Sequence, residues 1–285
     1  MIITVRQLSL ADVDWAAAVL AATGLRARQP ELRRYLALEP GGYCAAEADG
    51  RPVGLGGFAA YADLAFVGNM AVVPEMQGRG VGRAILHRML EDIDRCGIPT
   101  TLLEATPEGE PLYRKSGFVE EHRTLAYAGS GAFRPGEAPV PETGLAVRTL
   151  TEADLDAVAA FDRPRFGGSR LPALARFLQD FPGRGRLARR PGGGVAGYLI
   201  AQPQILGPWM AEDAAAAVAL LAAALALPFD RPPVAYAPEP NVGAAALLPR
   251  FGFTAQPESL RMRRGGPGPV GRPECLYGLA ALAIG

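Results

Sequence analysis

The sequence predicts an α/β protein made of two tandem domains that share one fold. The chain has 285 residues, which suggests two domains of ordinary size, each able to bury its own core. Segments that read as strands are interleaved with segments that read as helices. The same short motifs occur twice along the chain, in the same order. A sequence unit that is repeated in this way predicts a repeated fold.

The first half reads as a strand, two helices, a hairpin, a central strand with its loop and helix, a further strand, a short helix and a closing strand. The hairpin turns at residues 49–52, Asp-Gly-Arg-Pro, residue types that favour a turn between strands. The first two helices are predicted at residues 11–22 and 30–38. The strands are predicted at residues 2–8, 43–48, 53–61, 67–73 and 100–105, and near 123–128.

Residues 69–97 are the stretch around which the first half is organised. Pro74 stops the apolar strand, because proline cannot donate to a ladder. Gly78, Gly80 and Gly82 then let backbone N–H groups converge with no Cβ in the way. These groups lie at a helix start, where donors are unpaired and the dipole is positive, so the loop is predicted to hold phosphate oxygens. The apolar face of the helix consists of Val81, Ile85, Leu86, Met89, Leu90 and Ile93.

Several kinds of glycine loop can follow a strand. A Rossmann loop needs the spacing G-x-G-x-x-G, whereas the glycines here are spaced G-x-G-x-G. A P-loop needs Lys-Ser/Thr after its last glycine, and this chain has Arg83-Ala84. The loop instead resembles the coenzyme A loop of the GNAT acetyltransferase superfamily, Q/R-x-x-G-x-G/A, with Gln77, Gly80 and Gly82 at the fixed positions. A glycine-rich turn without a ligand is the other alternative.

This resemblance implies a fold, a co-substrate and a set of binding residues. GNAT domains have a mixed, mostly antiparallel sheet flanked by helices, with a splayed central strand pair. Acetyl-CoA, with no metal, is then expected in the gap between strands 67–73 and 100–105, where backbone N–H groups would hold the thioester carbonyl and the developing oxyanion. The residues implied to bind it are Met70, Ala71, Val72, Gln77, Gly78, Arg79, Gly80, Val81, Gly82 and Arg83.

A second motif, residues 112–118, reads Leu-Tyr-Arg-Lys-Ser-Gly-Phe and resembles the LY-x-K-x-GF segment of the same superfamily. Gly117 suits the C′ position of a short helix that must end promptly. In GNAT enzymes the tyrosine hydroxyl protonates the departing thiolate, so the resemblance assigns the general acid to Tyr113; the alternative is a core tyrosine. Many members also have a coenzyme-binding asparagine shortly before the tyrosine, and residues 106–111 contain none.

Amide formation also needs a base, because only an unprotonated amine attacks. Glu104 is the single carboxylate in the apolar strand 100–105, where it is costly unless it is paired or used. The stretch resembles ribosomal-protein N-terminal acetyltransferases, which also share Asn69, and this implies that Glu104 is the base. A salt bridge at a strand edge is the alternative. Glu47 and Asp63 are weaker candidates because both lie close to turns.

The repeat begins after a segment rich in Gly and Pro. Three motifs return in order: residues 147–156 echo 5–14, residues 195–200 echo 53–58, and residues 247–253 mirror 112–118. The chain therefore resembles a bacterial tandem GNAT protein. The predicted division is a catalytic domain at residues 1–130, a linker at 131–144 and a degenerate GNAT-like domain at 145–285.

The second half is predicted to keep the fold without the chemistry. In place of the glycine loop it has Gly207-Pro208, which lacks one N–H donor, followed by Glu212 and Asp213, which would repel a pyrophosphate. Leu248 stands at the tyrosine position. The role implied for this half is structural, or that of a wall of the acceptor pocket. We therefore expect one coenzyme per chain, bound in the first domain.

Two further sets of polar residues in the second half each allow more than one interpretation. Asn241 lies where the family's coenzyme-contacting asparagine would be, although this is a single match. The arginines at positions 184, 186, 189 and 190 either recognise an anionic acceptor or form a solvated hairpin.

Composition excludes several other classes of function and cellular setting. Lys and Arg total 29, as do Asp and Glu, so nothing draws the chain to nucleic acid or to an anionic membrane. Cys44, Cys96 and Cys275 have no disulfide or metal spacing, which fits a reduced, cytoplasmic setting. There are only two histidines. The start shows no signal-peptide pattern, and the longest apolar run, residues 214–227, is predicted as a core helix that is too short to span a bilayer.

Together these features predict an acetyl-CoA-dependent N-acetyltransferase that acts on a small amine, as a monomer or homodimer. Glu104, directly or through water, would take the amine proton, and Tyr113 would protonate the sulfur. The alternatives are a non-catalytic acyl-CoA-binding regulator and an acyltransferase that uses a different acyl-CoA. The amine itself is not indicated, because residues 24–40 show no diagnostic pattern.

Overall fold

A computed structural model of the protein describes residues 2–25, 28–131 and 144–285. The predicted linker, apart from its first and last residues, lies outside this part of the chain. The chain divides into two compact units. Unit 1 comprises Met1–Val119, Met262–Pro267 and Ile284; unit 2 comprises Glu120–Arg261, Gly268–Ala283 and Gly285. The predicted α/β class is confirmed, with two sheets flanked by helices.

Unit 1 has an α/β order that follows the prediction for the first half as far as the short helix, whereas the closing strand predicted near 123–128 lies in unit 2. The first four strands are antiparallel neighbours, and the fourth pairs with the fifth in parallel. Its elements are β1 (Ile3–Gln7), α1 (Val13–Ala22), α2 (Gln29–Leu38), β2 (Tyr43–Ala48), β3 (Arg51–Ala60), β4 (Leu64–Val72), α3 (Val81–Arg95), β5 (Thr100–Ala105) and α4 (Glu110–Lys115).

Unit 2 repeats the order of a strand, two helices, three further strands and a long helix, but its strands pair in a different arrangement. Its five-stranded sheet has the order β13-β10-β9-β8-β7, and β6 pairs antiparallel with β11. Its elements are β6 (Val119–Gly129, from Glu120), β7 (Ala146–Thr149), α5 (Leu155–Phe166), α6 (Leu171–Asp180), β8 (Gly185–Arg189), β9 (Val195–Ala201), β10 (Leu206–Ala211), α7 (Ala214–Leu225), β11 (Val234–Pro238), α8 (Val242–Leu247), β12 (Phe253–Gly265) and β13 (Leu276–Gly278). The last residues of β12, from Met262, belong to unit 1.

The amphipathic pattern of α3 accounts for the core of unit 1. All six residues of the predicted apolar face are buried. Full burial of one such side chain stabilises the fold by about 1.5–3 kcal/mol. The Ala-rich helix α7 is buried over most of its length, which confirms the core helix predicted there. In the part of the chain that the structure describes, no helix is both long and apolar enough to cross a membrane.

The repeated opening motif forms the same polar structure in both units. The Arg6 guanidinium donates two hydrogen bonds to the Asp12 carboxylate, at 2.9 and 2.8 Å. Arg148 holds Asp154 through the same pair of bonds. Each aspartate also accepts hydrogen bonds from the residue three positions earlier, Ser9 or Thr151. The motif therefore fixes the turn from the first strand into the first helix of each unit.

Candidate active site

The two central strands of unit 1 separate after four paired residues. The parallel register joins Leu64–Val67 of β4 to Thr100–Leu103 of β5 and ends there. Residues 64–67 are buried, whereas Gly68, Asn69 and Met70 are partly exposed. The splayed pair is thereby confirmed, and residues 68–72 form one wall of a cleft.

A β-bulge shapes this wall. Gly57 pairs with Gly68 and Leu55 with Ala71, so Asn69 and Met70 together oppose Gly56. Asn69 has φ of +53°, a left-handed conformation that asparagine adopts at lower cost than most residues. Its amide Nδ2 donates to the hydroxyl of Tyr43 at 3.1 Å.

Packing holds both residues of the bulge: Tyr43, the partner of Asn69, stacks on another ring, and Met70 lies against a glycine. Tyr43 stacks on Tyr35, with ring centroids 6.2 Å apart. The Met70 side chain crosses Gly56, where a Cβ would lie only 2.6 Å from Sδ. Larger residues at position 56 would displace this thioether, so the bulge is built with glycine opposite it. The wall of the cleft is therefore anchored both by a hydrogen bond and by close packing.

The backbone of Val72 points into the cleft. The N–H of Val73 donates to the carbonyl of Val53 on β3, at 2.9 Å. Because N–H and C=O groups alternate sides along a strand, those of Val72 point away from β3. The Val72 carbonyl accepts a hydrogen bond from Gln77 Nε2 at 3.0 Å. The Gln77 side chain thus ties the loop to the strand end, a role that the loop motif alone did not reveal.

The glycine loop leads into a helix start that has no side-chain cap. Gly78 and Gly80 have φ of +72° and +87°, and Gly80 is the N-cap of α3. The first turn of α3 contains no acidic residue. Its N–H groups are therefore left without a side-chain acceptor, as an anion site requires.

The loop also carries two exposed arginines, and the start of α3 that follows it packs against β4 and α4. Arg79 and Arg83 form no hydrogen bond or ion pair with the residues that the structure describes. A Cβ on Gly82 would lie 3.5 Å from Leu112 Cδ2 and 3.8 Å from Val72 Cγ2. The start of α3 therefore sits between the end of β4 and helix α4. Positive charge and open N–H groups coincide at this end of the cleft.

Tyr113 lies on α4 and is 7% exposed. A Cβ on Gly109 would come within 2.9 Å of Tyr113 Cε2, so this glycine makes room for the ring. Phe118 packs edge-on against it, with centroids 5.9 Å apart. Burial raises the pKa of Tyr113 to about 12. Its hydroxyl has no hydrogen-bond partner among the described residues, and it keeps its proton at neutral pH, as a general acid must.

Of the three carboxylates considered as a base, one lies at the cleft. Glu104 is partly exposed between buried Leu103 and Ala105, and it is the first residue of β5 beyond the paired register. Glu47 accepts a hydrogen bond from Arg6 Nε at 2.6 Å, within the Arg6–Asp12 cluster. Asp63 lies in the exposed turn before β4. Position therefore favours Glu104.

The corresponding cleft in unit 2 is filled by the chain itself. Strand β13 pairs with β10 (Trp209 opposite Gly278, Met210 opposite Leu276). On its other side, the N–H of Leu279 donates to the carbonyl of Tyr236 on β11, at 2.9 Å. Residues 276–279 therefore occupy the space between β10 and β11. Among the residues of unit 2 that the structure describes, β10 therefore has no open wall like that of residues 68–72.

The helix start in unit 2 is also occupied. Asp213 caps α7, and its Oδ1 accepts the N–H of Ala216 at 2.9 Å. Burial alone would raise the pKa of Asp213, but this bond and the Arg190 guanidinium, 2.6 Å away, lower it. Glu212 pairs with Arg165 and Arg272. A carboxylate therefore fills the position that is open at Gly80.

The other site positions of unit 2 have structural roles. Leu248 is fully buried. Asn241 caps α8 by accepting the N–H of Ala244 at 2.8 Å, and it donates to the Leu276 carbonyl at 2.8 Å. Each of the four hairpin arginines has a partner within the protein, so they form neither a merely solvated hairpin nor an open site for an anionic acceptor. Arg184 and Arg186 donate to backbone carbonyls, and Arg189 and Arg190 pair with Asp154 and Asp213.

No group of three or more His, Cys, Asp or Glu side chains that could hold a metal ion occurs among residues 2–25, 28–131 and 144–285.

The family follows from these features and from sequence comparison. Residues 39–120 match a model described as an acetyltransferase (GNAT) domain, and residues 158–278 match a second model with the same description. Together the two matches span more than half of the chain. The chain belongs to the GNAT acetyltransferase family and carries two GNAT domains in tandem, so the predicted class, an acyltransferase, is confirmed.

Three proteins are similar to this chain over most of its length. The holothin acyltransferase of Pseudoalteromonas sp. (strain SANK 73390) is 27% identical over 281 residues, which cover 95% of this chain and 90% of that protein. A candidate acetyltransferase of Pyrococcus horikoshii has a similar crystal structure, with a TM-score of 0.83 and 24% identity over 99% of this chain and 96% of that one. A tandem GNAT protein from the clavulanic acid biosynthesis pathway has a TM-score of 0.67 and 18% identity, covering 94% of this chain and all of that one.

Proposed function

We propose that the protein is an acetyl-CoA-dependent N-acetyltransferase whose single active site is the cleft of unit 1. The observation that carries this proposal is the uncapped, acid-free start of α3 beside the splayed strands, with the buried Tyr113 on the adjoining helix. The loop N–H groups and Arg79 would hold the pyrophosphate. The pantetheine arm would then lie along residues 70–72, with its thioester in the cleft.

The chemistry divides between backbone and side chains. The amine nitrogen attacks the thioester carbonyl carbon, and a C–N bond forms as the carbonyl oxygen gains negative charge. The Val72 N–H, which points into the cleft, would stabilise that oxyanion. When the C–S bond breaks, Tyr113 would donate its proton to the sulfur, and Glu104, directly or through one water, would take the proton from nitrogen.

We propose that the acceptor is a small amine. One similar protein is named an acyltransferase with no acyl group specified, so the test includes more than one acyl donor. Thiol release is measured with acetyl-CoA, and then longer acyl-CoA thioesters, over a panel of aliphatic, aromatic and amino-acid amines. Amine-dependent release with acetyl-CoA supports the proposal. Saturable coenzyme binding with no turnover on any amine would favour a regulatory binder instead, and turnover only with a longer thioester would replace the acetyl donor.

The base is tested separately. Glu104→Gln keeps the shape of the side chain and removes its basicity, so we expect kcat to fall by about 10²–10⁴-fold if it accepts the amine proton. Asp63→Asn, on the exposed turn before β4, is the matched control. A Glu104→Gln variant with the wild-type pH profile and rate would leave water as the base.

A further inference from the structure

Asn69 lies on the open wall of the cleft in unit 1, and the reaction steps proposed above give it no role. It forms the β-bulge together with Met70, and both residues are partly exposed. Met70 Sδ lies over Gly56, on the face of the sheet that α3 covers. Asn69 turns to the other face, where its amide reaches Tyr43, which stacks on a tyrosine of α2. Asn69 is therefore the bulge residue whose side chain faces away from α3.

The Tyr43 hydroxyl fixes the orientation of the Asn69 amide. The Tyr43 ring packs directly on Gly57, where a Cβ would clash with it, and the side chain is buried. Its hydroxyl accepts a hydrogen bond from Asn69 Nδ2 at 3.1 Å. Burial raises the pKa of Tyr43 well above its ordinary value, so the hydroxyl keeps its proton at neutral pH. Tyr43 is therefore a neutral, immobile partner that determines which way the amide turns.

The other end of the amide is open. An asparagine side chain has two N–H donors on Nδ2 and an acceptor oxygen, Oδ1. Tyr43 takes one donor, whereas Oδ1 makes no hydrogen bond with the residues that the structure describes. Because Asn69 is partly exposed, this oxygen is available to a molecule in the cleft. An amide oxygen suits an N–H donor, most of all one whose nitrogen is gaining positive charge.

The proposed reaction supplies such a donor. The amine nitrogen that attacks the thioester carbon becomes positively charged and still holds every N–H that it had. A primary amine has two: one leaves as the proton that Glu104, directly or through water, would take, and the other stays in the amide product. A secondary amine has only one, which must leave. A primary amine therefore offers a hydrogen-bond donor throughout the reaction that a secondary amine lacks.

We propose that Asn69 Oδ1 accepts a hydrogen bond from the N–H that the amine keeps, so that the cleft selects primary amines. Tyr43 is the positioning residue, because it holds the amide with this oxygen towards the amine. This inference rests on the proposed function, because it needs an amine to attack a thioester in this cleft.

The test measures thiol release with the best primary amine of the panel and with its N-methyl derivative. Asn69→Gly removes the amide and suits the φ of +53° at this position. We expect kcat/KM for the primary amine to fall roughly ten- to a hundredfold, the range for a charge-assisted hydrogen bond, and that for the N-methyl derivative to change by less than about threefold. The Kd of acetyl-CoA, measured by calorimetry, should stay within about threefold of the wild-type value.

Conservative variants separate this role from a structural one. Asn69→Asp keeps an acceptor oxygen and tolerates the left-handed backbone, so it should retain most of the activity on the primary amine. Tyr43→Phe keeps the ring but releases the amide, and should lower kcat/KM for the primary amine about three- to tenfold. Tyr35→Phe is the matched control: this tyrosine is also buried, in the same stack, and its hydroxyl makes no hydrogen bond with the described residues.

The outcomes separate this inference from the proposed function. Unchanged kinetics of Asn69→Gly on the primary amine would overturn the inference and leave the active site intact. Weakening of acetyl-CoA by the same factor as the amine would also overturn it, because Asn69 would then serve only to shape the coenzyme wall. An Asn69→Asp variant as slow as Asn69→Gly would show that the oxygen has no role. If the wild-type protein releases thiol with no amine at all, the proposed function itself fails.

Discussion

The two units differ at the start of the helix that follows the central strand, which is α3 in unit 1 and α7 in unit 2. In unit 1 the N-cap of α3 is Gly80, which gives no side-chain cap, and the first turn of the helix contains no acidic residue. In unit 2 the N-cap of α7 is Asp213, whose own oxygen satisfies an N–H group. A helix start that satisfies its own donors has little left for a ligand. The comparison shows how one fold can either leave the N–H groups of a helix start without a side-chain acceptor or satisfy one of them with its own carboxylate.

The largest expected effect concerns Tyr113, the proposed proton donor of unit 1, whose counterpart in unit 2 is the buried Leu248. Tyr113→Phe removes the hydroxyl and keeps the ring packing against Phe118. We expect kcat for thiol release to fall by about ten- to ten-thousandfold, with coenzyme affinity kept. Tyr127→Phe, a buried tyrosine of β6, is the control. Because Tyr113 titrates only near pH 12, its ionisation should cause no loss of kcat below about pH 10. A wild-type rate in Tyr113→Phe would make it a packing residue.

The glycine loop gives the next largest effect. Gly80→Ala adds a Cβ where backbone N–H groups converge, so we expect coenzyme affinity to fall roughly a hundredfold or more. Gly97→Ala is a matched control, because Gly97 also has positive φ (+70°) and open space, at the other end of α3. Both variants should lose about 1–2 kcal/mol of stability. Calorimetry that shows equal coenzyme binding by the two variants would remove the anion role of the loop.

The repeated Arg–Asp pair allows a comparison of stability. Arg6 and Arg148 hold the pKa values of Asp12 and Asp154 well below their usual range. Because each folded-state pKa is lowered, the stabilisation is present above about pH 4 and is lost as pH falls. Asp154 is the more buried side chain, so Asp154→Asn should cost about 1–3 kcal/mol and Asp12→Asn less. Urea unfolding at pH 7 and pH 3 checks both, and equal losses at the two pH values would contradict the linkage.

The smallest effect tests the closed helix start directly. Asp213→Ala removes the cap of α7 and should destabilise the protein by about 0.5–2 kcal/mol. It should not create a second coenzyme site, because residues 276–279 still lie between β10 and β11. Titration with acetyl-CoA should therefore saturate at one equivalent for both the wild-type and the variant protein. Two equivalents in either would break the contrast between the units.

Local patterns predicted much of unit 1. The apolar face of α3 and the glycine loop each depend on residues within a few positions of one another, where spacing determines contact. The repeat of the opening motif at residues 147–156 was also visible in the sequence, but the Arg6–Asp12 and Arg148–Asp154 pairs that it forms were not predicted. The assignments of Tyr113 and Glu104 as acid and base stay predictions, although the structure buries the Tyr113 side chain on α4 and puts Glu104 beyond the paired register of β5.

Features that join distant residues could not be predicted in this way. Nothing in the sequence of residues 276–278 shows that they pair with β10, whose partner residues lie 66 and 69 positions earlier. Two contacts between near neighbours in the sequence were also missed, because they depend on local shape rather than on spacing: Gly109 makes room for the Tyr113 ring, and Gln77 binds the Val72 carbonyl. The hairpin arginines likewise bind carbonyls that a charge count does not reveal.

Residues 276–279, which fill the cleft of unit 2, act as an intramolecular ligand for β10 and β11. Residues 276–279 belong to the same molecule as β10 and β11, so they return to their place at an effective concentration in the millimolar range, as for a short linker. A free ligand at micromolar concentration would compete against that local excess as well as against the hydrogen bonds already formed there. Tethering of this kind keeps the cleft of unit 2 closed at coenzyme concentrations well below that local concentration.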